Sequence, residues 1–439
     1  MRSFPAQWGG SYQVLLLNSG SLVATTIVAS GLGFIYWWLA ARQFPAQAVG
    51  LASAAVSAML LLGSVGGLGL GTLLIGELPR QPDQERSLIT TALIVVGLAG
   101  GGLGLLFAEA APWISADLRA LADNLGSIAL FSAGVSLTAA GLVLDQAVVG
   151  LLRSELQLWR NALHAVAKLG ALITAGLWFV NRSGLTIYGT WVVGSLISLA
   201  ALAGFAALRD GRVAAYRPQW GMLRKLGRAA MGHHALNLAL QIPGLALPIV
   251  VTALLSARMN AYFYAAWMIA SFAFVGPAAL TTVLYAVGAA EPSVVAPKIR
   301  TTLKLSVVVG LATSAALFIG AGQVLGLFRA AYAEQAGWSL RILGLGVFPL
   351  IIKNHFVALR RIDGQVMNTA LFMAAGGALE LIMAATGASL GGLAGLSLGW
   401  VSAICIESLF MVRTVYRVAA PANLPAWWRK SELGGRFTR

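Results

Sequence analysis

The sequence predicts an all-α integral membrane protein of about twelve spanning helices in two six-helix pseudo-repeat lobes. Apolar runs of membrane length recur along the chain, charged residues concentrate between those runs, and fragments of the first half return in the second. The composition is 58% hydrophobic with a mean hydropathy of +0.81 and only 10% charged residues. Soluble domains carry about 25% charge. That much apolar surface has no place in an aqueous fold.

Runs long enough to cross a hydrocarbon core of about 30 Å lie at 14–40, 47–75, 88–112, 126–149, 161–180, 186–208, 229–255, 262–287, 304–328, 338–358, 368–387 and 391–412. The first exceeds the apolar core of a signal peptide, about 7–15 residues, and reads as an uncleaved span. Glycines at Gly63 to Gly71 and Gly97 to Gly104 fall inside runs. They read as close helix interfaces, because small residues let backbones approach in lipid.

Lys and Arg in short loops mark the cytoplasmic side. With both termini inside, inner segments carry 23 basic residues and outer segments 6, with Lys168 alone in mid-span. The net charge of +15 is therefore a topology signal, not a nucleic-acid surface. The chain is expected in the bacterial cytoplasmic membrane. Its expected parts are an N-terminal lobe over 1–208, a basic cytoplasmic linker over 209–228, a C-terminal lobe over 229–412 and a basic cytoplasmic tail over 413–439.

The internal repeat rests on three matches. Asn18 and Asn237 open corresponding spans at an offset of 219 residues, Ala41-Arg42 matches Ala257-Arg258 at 216, and the Gly150-to-Arg153 stretch matches Ala358-to-Arg361 at 208. Parallel repeats of this kind recur in secondary transporters.

The residue inventory excludes most enzyme chemistry. Four histidines occur without HExxH spacing, no GxxxxGK[ST] phosphate loop exists, and no cofactor or metal site is expected. The single cysteine, Cys405, reads as a buried small hydrophobe. Ionisable groups inside the bilayer are informative, because each costs about 2.5–3.5 kcal/mol or more if left facing lipid. Asp145 and Lys168 match in expected depth on adjacent spans, and Asn161, His164 and Lys168 share one helical face. Asp145, His164 and Lys168 are therefore expected to cluster, either as a packing ion pair or as a substrate or ion site. Glu380 and Glu407 are coupling-ion candidates or packing hydrogen-bonders. Arg42 and Arg258 either flank a vestibule that attracts an anion or anchor at the interface. Lys353, with Arg360 and Arg361, is placed at the inner end of its span, as a retention signal or an electropositive mouth for a phosphate-bearing lipid.

Two stretches carry a family resemblance: Asn18-Ser-Gly-Ser-Leu through Ala41-Arg42-Gln-Phe-Pro to Gly50-Leu-Ala-Ser, and Leu144-Asp145-Gln-Ala-Val-Val-Gly150-Leu-Leu-Arg153 running to Asn161 and Lys168. The chain resembles the polysaccharide and O-antigen flippases of the multidrug/oligosaccharidyl-lipid/polysaccharide (MOP) exporter superfamily. The resemblance implies two lobes around a central cavity and alternating access. It also implies an undecaprenyl-diphosphate-linked glycan as cargo, membrane lipids as surroundings, and a polysaccharide polymerase and glycosyltransferases as working partners. A cation-coupled multidrug exporter of the same superfamily is the alternative. Reporter fusions after Arg228 and after Arg439 should both report the cytoplasm. A periplasmic signal at either overturns the helix count.

Overall fold

A computed structural model of the chain describes residues 30–178, 182–210, 228–291 and 295–419, together with 218, 220 and 221. Asn18, most of the expected linker and the expected tail lie outside the described residues. Among these residues the regular structure is entirely helical: α1 (residues 30–43), α2 (Ala46–Gly66), α3 (Leu70–Glu77), α4 (Glu85–Ile114), α5 (Leu125–Gly150), α6 (Ser154–Trp178), α7 (Gly184–Asp210), α8 (Arg228–Leu254), α9 (Ala257–Ala290), α10 (Val295–Gly326), α11 (Ala330–Leu345), α12 (Val347–Ile362) and α13 (Val366–Ala419), with short 3-10 turns between α3 and α5.

Eight of these helices are long and apolar enough to cross a membrane, and α11 with α12, bent by 41°, makes a ninth. The bend falls at Gly346, just before Pro349, which cannot donate the hydrogen bond that the Leu345 carbonyl would accept. The 54 residues of α13 would run about 80 Å if straight, far more than one crossing needs. Non-helical backbone at Gly391 and Gly392 breaks it. Close approaches then pair Gly387 with Gly395, Met383 with Gly399 and Gly376 with Glu407. Each step forward on one half is a step back on the other, so α13 is an antiparallel hairpin of two spans. With the 25-residue α6 and the described part of α1, the elements agree with the expected total of about twelve.

The chain divides into two compact units, Met1–Ala261 and Tyr262–Arg439. In the first unit α8 packs on α2, so this helix groups with the seven before it. The glycine interface expected at Gly97 to Gly104 forms, whereas Gly67 to Gly69, inside the other expected interface, interrupt the helix, with Gly69 at φ 74°. A Cβ on Gly100 would lie 3.0 Å from Ala139 Cβ, one on Gly104 would lie 2.8 Å from Ser132 Cα, and Ser136 donates to the Gly97 carbonyl at 2.8 Å. Leu70, Leu74, Leu88, Val96 and Ala139 form a buried cluster where α3, α4 and α5 meet. The start of α9 is tied to this unit twice. Asp117 accepts from the Ala257 amide at 2.7 Å, and Asn260 Nδ2 donates to the Gly50 carbonyl and Ser53 Oγ at 2.8 and 3.0 Å.

In the second unit α10 packs on α11, and α12 on α13. Large apolar side chains point outward in both units, Trp113 at 91% exposure and Ile319 at 75%, as a lipid-solvated surface requires. Cys405 also lies on an exposed face. The apolar run around it faces outward at that turn, so the expected burial is corrected.

Gly50 is the tightest approach, since a Cβ there would sit 1.5 Å from the Ala257 carbonyl oxygen. Gly50→Ala should abolish monodisperse protein in detergent on size-exclusion chromatography. Gly102→Ala, where nothing lies within 4 Å, should leave the profile unchanged.

Candidate functional site

Of the expected cluster of Asp145, His164 and Lys168, the two basic residues come together against Trp191 and Asp145 does not join them. Helix α6 begins at Ser154, two turns before the expected start at 161, so Arg160 is inside the helix instead of in a loop. Its guanidinium takes Asp145 in a two-pronged pair, Nε to Oδ1 at 2.7 Å and Nη2 to Oδ2 at 2.6 Å. Asn161 Nδ2 adds a third bond to Oδ2 at 3.1 Å. Planar guanidinium and carboxylate match in this geometry. Lys168 lies seven residues beyond Asn161, about 10 Å along the axis, and is left to other partners.

Those partners are aromatic. Lys168 is 5% exposed, and its Nζ stands 3.5 Å from the ring centroid of Trp191 on α7 and 5.2 Å from that of Tyr36 on α1. Ring faces attract an ammonium electrostatically but accept none of its protons in ordinary hydrogen bonds. Gly194 brings α7 against α6 at this level, since a Cβ there would lie 2.9 Å from Lys168 Cβ. Tyr36 is fixed by its hydroxyl, 2.6 Å from Thr190 Oγ1 and 3.0 Å from the Ile187 carbonyl. The buried Trp191 Nε1 has no hydrogen-bond partner. His164 meets the Trp191 ring edge-on at 5.7 Å and reaches Ser195 Oγ at 3.4 Å. Among the described residues no carboxylate faces Lys168. The result is a donor-rich, aromatic-walled cluster in the first unit, built around one lysine.

The second unit holds the opposite arrangement. Lys353 is not at a cytoplasmic mouth with Arg360 and Arg361, as expected, because the bent α11–α12 span continues to Ile362. It is 5% exposed, bridging Glu380 Oε1 at 2.5 Å and Glu407 Oε2 at 2.8 Å. Trp400 Nε1 donates to Glu380 Oε2 at 2.6 Å. Glu407 Oε1 is buried without a hydrogen-bond partner. Gly376 makes room for this carboxylate, since a Cβ there would meet its Cδ at 2.6 Å. One lysine between two carboxylates leaves a place for one further positive charge, such as a proton or a monovalent cation. Nearby, buried His355 donates from Nδ1 to the Ile351 carbonyl at 2.7 Å, leaving Nε2 to accept from Thr302 Oγ1 at 3.1 Å.

Sequence reasoning named all three members of this triad but placed Lys353 elsewhere. The signal available was the apolar stretch on both sides of Lys353. Arg42, exposed over the Trp38 ring at 5.8 Å, and Arg258, also exposed, join neither cluster. Asn237 lines a separate cavity of the first unit with His234 and Gln146.

No family model matches the sequence, and no curated protein does. Solved structures do match over nearly their whole length. An inward-facing multidrug resistance MATE family transporter of the MOP superfamily aligns with a TM-score of 0.64 at 18% identity, covering 91% of this chain and 98% of that one. The fold is that of a MATE transporter. A MATE protein in complex with MaL6 gives 0.63 at 15% identity over 92% and 98%. An outward-facing MATE transporter of the MOP superfamily gives 0.61 at 14% over 91% and 95%. The MATE fold is thus matched by structures captured open to either side.

The triad yields a test of its own. Lys353→Met leaves two buried carboxylates facing each other and should destabilise the protein by about 3–5 kcal/mol, read as a fall in melting temperature in detergent. Lys353→Met with Glu380→Gln and Glu407→Gln removes all three charges and should recover most of that loss. A triple variant as unstable as the single one contradicts the bridging role.

Proposed function

We propose that this protein is an alternating-access transporter that moves an undecaprenyl-diphosphate-linked oligosaccharide from the cytoplasmic to the periplasmic leaflet, in cell-surface polysaccharide synthesis. The polymerase and glycosyltransferases of that process are its proposed working partners. The Lys168 cluster carries the reading. A buried ammonium held on ring faces keeps its N–H donors available, and the partnerless Trp191 N–H lies in the same cluster. Donors without acceptors in a low-dielectric setting are costly unless an acceptor-rich anion visits them. A diphosphate supplies such an anion.

The resemblance of the two sequence stretches to polysaccharide flippases supports the same cargo. The disposition of acids disfavours a cationic drug in the first unit. Asp145 is neutralised by Arg160, and every other acidic residue described there lies in a connection or within two turns of a helix end. The Lys353–Glu380–Glu407 triad is the proposed coupling-ion site, its place for one further positive charge taking the ion. A second reading, multidrug export, is supported by the MATE transporters that share the fold.

Purified protein in liposomes should move a fluorescent lipid-linked oligosaccharide between leaflets. Lys168→Met should slow this at least about tenfold, and Lys168→Arg should retain part of it. Deletion of the gene should stop surface polysaccharide and accumulate lipid-linked units in the inner leaflet. Normal polysaccharide together with raised sensitivity to cationic dyes would instead establish the drug exporter.

A further inference from the structure

The two carboxylates of the triad offer four oxygens, and three of them are already taken. Glu380 Oε1 and Glu407 Oε2 accept from Lys353 Nζ at 2.5 and 2.8 Å, and Glu380 Oε2 accepts from Trp400 Nε1 at 2.6 Å. The fourth, Glu407 Oε1, is buried and has no hydrogen-bond partner. Glu407 as a whole is 3% exposed. The place for one further positive charge therefore comes down to a single atom.

Its surroundings restrict what can occupy it. Hard metal cations are held by several oxygens at once. Here the other carboxylate oxygens face N–H donors, which turn the positive end of their dipoles toward any incoming cation, and Lys353 holds the second oxygen of the same carboxylate. Backbone closes one face, since a Cβ on Gly376 would lie 2.8 Å from Oε1. Beyond Trp400 the wall is aromatic, its ring meeting Trp267 at 4.8 Å and Phe274 at 6.1 Å between centroids. A proton needs one oxygen and no cage.

The other ionisable groups of the helices packed on α13 are engaged elsewhere. On α10, Lys298 and Lys304 are exposed and Arg300 donates to the Ala419 carbonyl. On α11, Glu334 is exposed and Arg341 donates to the Phe318 carbonyl. On α12, His355 is held by Ile351 and Thr302, and Arg360 and Arg361 lie about two turns beyond Lys353. On α13 itself Arg413 is exposed and Arg417 stands in the last turn. Lys353 and Glu380 are the charged groups that meet Glu407.

We propose that the coupling ion is a proton and that Glu407 carries it. The inference rests on the triad being the coupling-ion site of a transporter. It adds which ion the site takes and which residue holds it. A proton on Glu407 leaves Lys353 matched one to one with Glu380. It also weakens the tie from α12 to the second half of α13, because a neutral carboxyl attracts an ammonium less than a carboxylate does. Helix α11, across the bend at Gly346, stays tied to that half through Ser339 and Ser397. Proton binding thus acts on one side of the bend only, which gives it the differential effect that a conformational change requires.

Two measurements on the full-length protein test this. The first needs no cargo. Infrared difference spectra between acid and alkaline samples in lipid should show a protonated-carboxyl C=O band that Glu407→Gln removes, Glu407→Asp retains and sodium at fixed pH leaves in place. The second follows a fluorescent lipid-linked oligosaccharide in proteoliposomes. With one proton coupled to each cargo molecule, a gradient of one pH unit should shift the distribution between leaflets by up to about tenfold. A sodium gradient at equal pH should shift nothing, and Glu407→Gln should lose the response to pH. Melting temperatures check that both variants fold. Absence of the Glu407 band, its displacement by sodium, or cargo movement indifferent to the pH gradient overturns the proton assignment and leaves the transport reading standing. A Glu407 band without movement of the oligosaccharide under any gradient sustains the proton assignment and overturns the proposed cargo.

Discussion

An ionised side chain in hydrocarbon costs several kilocalories per mole unless its charge is met within the protein, and the interior of this molecule is organised around that penalty. Asp145 meets it with the two-pronged Arg160 and an asparagine. Lys353 meets it with two carboxylates and the indole bound to one of them. Lys168 meets it only in part. Cation–aromatic attraction at a desolvated site is worth about 2 kcal/mol, less than a close ion pair, so its charge remains the least compensated among those described. A group kept in that state is either a defect or a ligand site, and the adjacent partnerless indole N–H argues for the second.

The same solvent imposes a backbone rule. Every peptide group inside the bilayer must be paired, so spans are helical and interruptions occur where something else receives the freed groups. Three interruptions stand out. The one at Gly346 is a bend with Trp400 packed against it, and the one at Gly391 and Gly392 is the tip of a hairpin. These two are topological. The one at Gly67 to Gly69 opens onto a polar cavity and forms part of its wall.

Much of the fold was legible because membrane helices announce themselves through length and hydropathy. The total of about twelve spans, the glycine interfaces at Gly97 to Gly104 and the involvement of Lys168, Glu380 and Glu407 in the interior all follow from one-dimensional pattern. The pairings did not follow. Matching Asp145 to Lys168 used depth alone, and a two-turn error in the start of α6 displaced the lysine by about 10 Å. Lys353 was assigned to a loop because basic residues cluster after it, although apolar residues precede and follow it within α12. The break after Gly66 was hidden for a different reason. Glycine serves equally for close packing and for left-handed turns, and composition does not distinguish the two uses.

The two units, taken separately, hold ionisable groups that are unevenly matched: Lys168 facing no carboxylate among the described residues of the first, and two carboxylates on one lysine in the second. Neither imbalance contributes to stability, since a neutral or fully paired cluster of similar volume costs less in a low dielectric. For a transporter the imbalance has a use. A ligand can bias a conformational equilibrium only through interactions that differ between states, and an uncompensated buried charge gives the largest difference available between occupied and empty sites. Under the proposed function, an anionic cargo at Lys168 and a cation at the triad would each relieve a penalty that the empty protein bears. Binding energy would thereby be converted into a preference for one conformation, which is the requirement that alternating access places on interior residues.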